Sequence, residues 1–598
     1  MLTWVNADPA FNARYTGAVA SQVYSYETKR PALGLRVPGA WTWLTVAIAA
    51  VVALPVLVVG SRIFVDSGGV WEHLAETVLP LYVGNTLLLL LGVGVLAGSI
   101  GVAAAWLVTM HQFPGSRILE WALLLPLAVP AYVLAYAYTD LLAYAGPVQT
   151  ALRGAFGWHS ARDYWFPNIR SLGGAVLMLG LVLYPYVYLL ARTAFLEQSV
   201  CVLEVSRTLG RGPWRNFFGV AVPLARPAIA AGLALALMET IADYGTVSYF
   251  GVATFTTGIY RTWFGMGAPV AAAQLAAAML VFVAVLIGLE RWSRGRARYY
   301  HTTGRYRHLS PRPLRRGKGL AALAVCAAPV ALGFLLPAAL LLHLAIGQGD
   351  PLWGRRFLDF ARNSFVLAGV TAGLAVLMAA VMAYSMRLRP TWMTRVSVRI
   401  ASLGYAVPGS VVAVGVLIPF AAFDNTVDGF LRDTFGVSSG LLLTGSIAAL
   451  VFAYLVRFLA VSYNTVESSL GKISPSMDHA SRALGHNPRR TLLRVHAPMM
   501  RGGLLTAGLL VFVDVMKELP ATLILRPFNF DTLAVRVYRL AADERLAEAS
   551  TAALAIVAVG VVPVVLLSLA IARSRPGCGP CATAPVPPPT GNPLLRRD

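Results

Sequence analysis

Charge is scarce in this chain. Only 13% of its 598 residues are Asp, Glu, Lys or Arg, 57% are hydrophobic, and the mean hydropathy is +0.66. That composition excludes a soluble globular protein; with apolar residues in blocks of about 20, it defines a polytopic membrane protein. Cysteine is equally scarce. Cys201, Cys326, Cys578 and Cys581 are too few and too scattered for a disulfide framework. Cys578 and Cys581 have the spacing of a thioredoxin-type dithiol but lack the βαβ context, and they lie in a Pro-rich tail that cannot build a core. A phosphate-binding loop is missing as well: Gly471-Lys472 lacks the earlier glycine and is followed by Ile473, so nucleotide hydrolysis is left to another chain. No cleavable signal peptide is evident in residues 1–40, and the first apolar block is expected to stay as an anchor.

Acidic residues are outnumbered, with 27 Asp and Glu against 49 Lys and Arg and a formal charge of +22. The basic residues fall mainly between apolar blocks, which fits the positive-inside rule better than nucleic-acid binding. Runs long enough to span hydrocarbon lie near 41–64, 84–109, 118–142, 172–196, 222–247 and 270–290, then near 319–346, 362–386, 396–423, 438–465, 499–525 and 549–572. The expectation is an all-α protein of about twelve spans in two six-helix units, 41–290 and 319–572, with an N-terminal segment 1–40, a basic linker 291–318 and a tail 573–598. Six spans per unit is even, so the units run parallel. The linker carries ten Arg or Lys, whereas 65–82 has none and holds Asp66, Glu72 and Glu76. The linker and both termini are therefore expected on the cytoplasmic side.

A duplication is written in the residues. Ser206-Arg207-Thr208-Leu209-Gly210, with Pro223 and Arg226 beyond it, recurs as Ser481-Arg482-Ala483-Leu484-Gly485 with Pro498 and Arg501, each position displaced by 275. Both copies lie between the fourth and fifth spans of their unit. Apolar positions at helical spacing ending in glycine predict a short helix off the membrane. Retention of Gly, Pro and Arg amid drifted sequence points to a shared contact rather than an inert surface helix.

The same displacement relates Glu239 to Asp514 and Asp243 to Glu518. Each pair is spaced i, i+4 at the end of a fifth span, before Gly245 or Pro520, and predicts two carboxylates on one helix face next to a break. Such groups face a cavity or a partner. Two readings stand: Glu239, Asp243, Tyr244, Asp514 and Glu518 line a path for a cationic solute, or the acids pair with Lys517 and helix-end arginines to hold the halves together. A fixed metal site is not expected, because a transporter must release its solute. Tyr184, Tyr186, Tyr188, Tyr405 and Tyr454 are candidate linings of a polar route.

The repeated segment resembles the cytoplasmic signature of membrane subunits of bacterial ABC importers: Glu204-Val205-Ser206, Gly210, Val220, Val222-Pro223 in one copy and His479-Ala480-Ser481, Gly485, Val495, Ala497-Pro498 in the other, with Asp478 before His479. The resemblance implies a type I importer-like fold and docking on two ATPase subunits through Glu204, Ser206, Arg207, Gly210, Pro223, Asp478, His479, Ser481, Arg482, Gly485 and Pro498. It also implies ATP and magnesium used by those subunits, no cofactor in this chain, a periplasmic binding protein, and residence in the bacterial inner membrane. The second half, from Lys517-Glu518-Leu519-Pro520-Ala521-Thr522-Leu523 to Arg526-Pro527-Phe528-Asn529-Phe530-Asp531-Thr532-Leu533-Ala534 and Tyr538, is similar to the fused permeases of ferric-iron importers, the Fbp or Sfu type. The Ala128-Val129-Pro130 and Ala406-Val407-Pro408-Gly409 third spans share that resemblance. It implies alternating-access import of ferric iron. Thiamine and aminoalkylphosphonate permeases share the architecture, and an ion-driven secondary carrier using the carboxylates is a reading of another class.

Overall fold

The computed structural model describes residues 39–197, 206, 212–294, 312–347 and 354–573. The segment 1–38, most of the basic linker, and the tail with Cys578 and Cys581 lie outside the described residues. Among the described residues the regular structure is helical, apart from one two-residue parallel bridge that ties His111–Gln112 to Arg312–Pro313. In hydrocarbon no water satisfies backbone amides, so each apolar block must close its own hydrogen bonds as a helix.

The first half contributes α1 (Ala40–Ser61), α2 (Leu79–Met110), α3 (Ser116–Ala122), α4 (Ala131–Leu142), α5 (Leu172–Glu197), α6 (Val222–Ala242), α7 (Gly245–Tyr249) and α8 (Pro269–Arg294). The second contributes α9 (Arg316–Gly347), with a π-helical turn at Ala331–Leu335, then α10 (Arg355–Leu388), α11 (Trp392–Leu403), α12 (Gly409–Phe435) and α13 (Ala448–Gly471). After these come α14 (Pro475–Ala483), α15 (Arg501–Met516), α16 (Pro520–Leu525) and α17 (Leu546–Arg573). Among the described residues ten helices are long and apolar enough to cross a membrane. The count reaches twelve if two bent pairs are each one span: Ser116–Ala128 with Ala131–Phe156, bent by 92°, and Pro488–Met499 with Arg501–Met516, bent by 80°.

The departures from the expected spans have local causes. Pro130 lacks an amide and forces Val129 into extended backbone, so the third span breaks instead of running straight through 118–142. Val407 before Pro408 repeats the break, between α11 and α12. The tenth span starts at Ala448, not near 438, because the Asp424 carboxylate on α12 captures the amides of Leu443 and Thr444 and the Thr444 hydroxyl, holding that stretch as a loop. The fifth and eleventh spans end early, at Ala242 and Met516.

Packing repeats between the halves. α2 lies along α5 and α6 as α10 lies along α13 and α15. The first helix of each half crosses over: α1 packs on α11 and α12, while α9 packs on α17 and on the 125–142 region of the first half. Leucines such as Leu57, Leu87, Leu88 and Leu91 point outward, an apolar girdle suited to lipid.

Candidate functional site

The two helix breaks after α6 and α15 are built alike. At the first, the Asp243 carboxylate accepts from the Thr246 and Val247 amides, both at 3.1 Å, and from the Thr246 hydroxyl at 3.0 Å. At the second, Glu518 accepts from the Ala521 amide at 2.9 Å, the Thr522 amide at 3.2 Å and the Thr522 hydroxyl at 2.9 Å. The two amide donors are displaced by 275 from their counterparts, while the hydroxyl comes from Thr246 in one half and from Thr522, one position further on, in the other. Each carboxylate thus caps the free amides of the short helix that follows, α7 or α16, and so stabilises the interruption itself.

The structure brings all four acids together. Glu239, Asp243, Asp514 and Glu518 line a cavity of about 110 Å³ between the halves, with Tyr244, Tyr132, Tyr186, Arg457 and Lys517. Arg457, on α13, bridges the halves: one guanidinium nitrogen is 3.2 Å from Glu518 and another 3.4 Å from Glu239. Lys517 pairs with Asp514 at 2.9 Å. Glu239, Asp514 and Glu518 are therefore both cavity-lining and ion-paired, whereas Asp243 lines the cavity with only amide and hydroxyl donors. The arginine involved lies mid-helix, not at a helix end. Four carboxylates against two cations leave the cavity negative. Among the described residues no three metal-ligating side chains converge.

Aromatic contacts tie the breaks to each other. The Tyr244 ring stacks on Tyr260 with centroids 3.8 Å apart, the Tyr260 hydroxyl donates to the Pro520 carbonyl, and the Tyr244 hydroxyl lies 3.4 Å from that of Tyr538. Gly409 is squeezed against the ion pair: a Cβ there would fall 2.6 Å from Glu518 Oε1 and 2.9 Å from Arg457 Nη1. Of the tyrosines named from sequence, Tyr186 faces the cavity. Tyr184 and Tyr188 do not line it; both are buried in the core, the latter donating to the Glu120 carbonyl. Tyr454 is buried and bonded to Thr522. Arg457 and Tyr260 are not among the residues the sequence singles out, and Tyr538 is singled out only through the ferric-permease resemblance. A lone arginine inside Leu455-Val456-Arg457-Phe458-Leu459 was the available signal for the first.

Of the repeated segments, the first lies largely outside the described residues, including Glu204, Arg207 and Gly210; Ser206 is buried and Pro223 opens α6. The second is visible. α14 ends at Gly485, whose φ of +76° only glycine adopts without strain, and Asn487 then caps the Pro488–Thr491 turn by accepting from the Arg490 amide. Pro498 lies in the short helix before α15. Arg387, at the end of α10, fixes α14 in place: it donates to Asp478 at 2.6 Å and to the Leu470 and Ile473 carbonyls. His496 Nε2 lies 3.0 Å from the other Asp478 oxygen. Ser481 is buried and bonded to Thr491. Asp478 and Ser481 thus bond within the protein: Asp478, partly buried, lies between Arg387 and His496, and Ser481 lies against Thr491. His479, Arg482 and Leu484 remain exposed, Leu484 by 77%.

Two similar sets of membrane helices enclosing a polar cavity at their junction define a duplicated membrane permease. The family described as binding-protein-dependent transport system inner membrane component matches twice, over residues 97–299 and 374–575, and the chain belongs to that family as a multi-pass inner-membrane protein. It is similar to the Fe(3+)-transport system permease protein FbpB 2 of Haemophilus influenzae, 27% identical over 81% of this chain and 88% of that one. A ferric transport system permease protein FbpB of Actinobacillus pleuropneumoniae is 22% identical over 77% of this chain and 66% of its own length. The molybdenum transport system permease protein ModB of Escherichia coli is 31% identical, over 25% of this chain and 62% of its own.

Proposed function

We propose that this chain is the transmembrane permease subunit of an ATP-binding-cassette importer that passes ferric iron from a periplasmic binding protein to the cytoplasm by alternating access. The observation that carries the reading is the acidic cavity between two capped helix breaks. It is crossed by contacts between the halves and lined by carboxylates and tyrosines, oxygen ligands that suit a hard cation. The ferric permeases among its relatives support iron as the cargo. The carboxylates screen a cation in transit rather than hold it: Arg457 and Lys517 compete for them, so a cation entering the cavity exchanges with internal partners and leaves again.

Two ATPase subunits, using ATP and magnesium, dock beneath the chain. In the second half they meet the exposed face of α14 through His479, Arg482 and Leu484, and in the first half the equivalent face around Glu204, Arg207 and Gly210. Asp478 and Ser481 position that helix from behind. ATP-driven closure of the ATPases moves α14, and Arg387 passes the motion to α10 and α13. Both termini and the basic linker lie in the cytoplasm.

The test is uptake of radioactive ferric iron by proteoliposomes containing this chain, its ATPase and its binding protein, with and without internal ATP and with competing thiamine. ATP-dependent iron uptake insensitive to thiamine is expected. ATP-driven thiamine uptake without iron uptake would move the substrate, and uptake indifferent to ATP would replace the importer by an ion-driven carrier.

A further inference from the structure

A second charged pocket lies away from the central cavity, at the end of the bundle where α10 and α13 reach α14. Its volume is about 450 Å³, and its walls bring Arg291 of α8 together with Arg395 and Arg399 of α11, closed by Tyr463 and Glu467 of α13. Arg395 and Arg399 are one helical turn apart, so both project from the same face of α11. All three arginines are exposed, and none belongs to an ion pair among the described residues. The one carboxylate, Glu467, already accepts from the Tyr463 hydroxyl at 3.0 Å. Three guanidinium groups around one pocket repel one another unless an anion joins them. Arginine forks match phosphate oxygens two at a time.

The surroundings say which phosphate. α11 is twelve residues long and amphipathic. Thr394, Ser397, Val398 and Ala401 are buried, while Trp392, Val396, Ile400 and Leu403 are exposed by 71, 40, 39 and 42%. On α8 the residues beside Arg291 continue the apolar surface, with Leu289 exposed by 52% and Trp292 by 77%. A basic pocket rimmed by tryptophan and aliphatic side chains, at the level where helices leave the bilayer, has the layout of a headgroup site with room for acyl chains beside it. A free anion would have no use for the apolar rim. By the charge of the adjoining linker this end faces the cytoplasm, where anionic lipid is drawn to basic residues next to membrane helices.

We infer that the Arg291–Arg395–Arg399 pocket binds the phosphate of an anionic phospholipid, its chains lying on the Trp392–Val396–Ile400 face of α11. The pocket joins α8 of the first half to α11 and α13 of the second, so the lipid spans the junction between them. α11 also leads directly into the Val407-Pro408 break beside Gly409, which touches the Arg457–Glu518 pair. An occupied pocket therefore holds α11 against α8 and steadies that break. The inference does not depend on which solute the central cavity carries.

Lipid retention by the full-length protein tests it. The chain is purified into detergent containing phosphatidylglycerol and phosphatidylethanolamine in equal amounts, and the lipids that remain bound are counted by native mass spectrometry. Wild type is expected to keep phosphatidylglycerol preferentially. A variant with Arg291→Gln, Arg395→Gln and Arg399→Gln should lose that preference by about tenfold or more, while Arg395→Lys with Arg399→Lys retains most of it. Inorganic phosphate added in excess should not displace the lipid. Equal phosphatidylglycerol retention by wild type and the glutamine variant would overturn the inference, and so would displacement by inorganic phosphate, which would make the pocket a site for a soluble anion. If the triple variant fails to elute as a folded monomer, Arg399→Gln alone is measured against Arg399→Lys, and equal retention by those two refutes it in the same way.

Discussion

Replacing Arg457 by methionine keeps an unbranched apolar stem, shorter than the arginine, and removes its charge. The guanidinium reaches Glu518 at 3.2 Å and Glu239 at 3.4 Å, with side-chain exposures of 8% for Arg457, 2% for Glu518 and 24% for Glu239. Glu239 opens onto the cavity and can be hydrated there, so its loss of a partner costs little. Glu518 cannot. Removing one partner of a buried pair costs about 3–5 kcal/mol, because the other charge is left uncompensated. Glu518 keeps three donors, from the Ala521 amide and from the Thr522 amide and hydroxyl, which places the expected loss near the lower end, about 3 kcal/mol. Adding Glu518→Gln removes the stranded charge while an amide oxygen can still accept from the caps. The double variant should then recover about 2 kcal/mol relative to the sum of the single changes. Equilibrium unfolding in mixed micelles, run as a double-mutant cycle, reads both numbers. If Arg457→Met alone lies within about 0.5 kcal/mol of the parent, the guanidinium is not what neutralises Glu518 and the reasoning fails.

Gly409→Ala places a methyl group 2.6 Å from Glu518 Oε1 and should separate the Arg457–Glu518 pair; a loss of about 1–3 kcal/mol in the same unfolding assay, largely absent when Arg457 is already Met, checks this. Arg387→Ala removes the donors that hold Asp478 and the Leu470 and Ile473 carbonyls; amide exchange across 470–486 should rise while that of α2 and α5 stays unchanged, and ATP hydrolysis should no longer follow substrate delivery. On the loop before α5, the His159 and Ser160 amides and the Ser160 hydroxyl hold the Asp163 carboxyl below its usual range. A depressed folded value means that its stabilisation is present above the unfolded pKa of about 3.9 and is lost as pH falls through the lower folded value. Protection of amides 159 and 160, taken relative to the intrinsic exchange rate at each pH, should therefore be high at neutral pH and fall below about pH 4, with Asp163→Asn poorly protected throughout.

Much of this site was legible because duplication writes each element twice. The acid pairs, the helix-stopping Gly245 and Pro520 and the segment ending in Gly485 all recur at one displacement, so a periodic comparison finds them without any structure. Lys517 was legible for a different reason: it stands three residues from its partner Asp514, within one helical turn. Arg457 was not, since its partners are 61 and 218 positions away and only tertiary packing brings them together. The tyrosine series shows a second limit. Tyr184, Tyr186 and Tyr188 alternate in sequence, but a helix turns 3.6 residues per circle, so Tyr184 and Tyr188 share the face turned into the core and Tyr186 alone reaches the cavity. Hydropathy likewise could not anticipate that Asp424 would capture the residues before α13 and shift the start of that span by about three turns.

The two halves are not equivalent where it matters most. At the 275-residue displacement Arg457 corresponds to Val182 and Lys517 to Ala242, and all four line the cavity. Acids occupy both halves, but both cations come from the second. Side-chain length explains why the bridging arginine stands where it does. Its partners Glu239 and Glu518 are both glutamates, whereas an arginine at 182 would face their counterparts, Asp514 and Asp243, each shorter by one methylene, about 1.5 Å. Asp243 is committed to the Thr246 and Val247 amides, and Asp514 is already taken by Lys517. Moving the arginine, as Arg457→Val with Val182→Arg, should therefore not restore the stability lost in Arg457→Val. Adding Asp514→Glu and Asp243→Glu should recover part of it, because only then do carboxylates of the right reach surround the transplanted charge. Recovery by the simple exchange would show that the cavity tolerates its bridging cation on either side, and that the glutamates are where they are for some other reason.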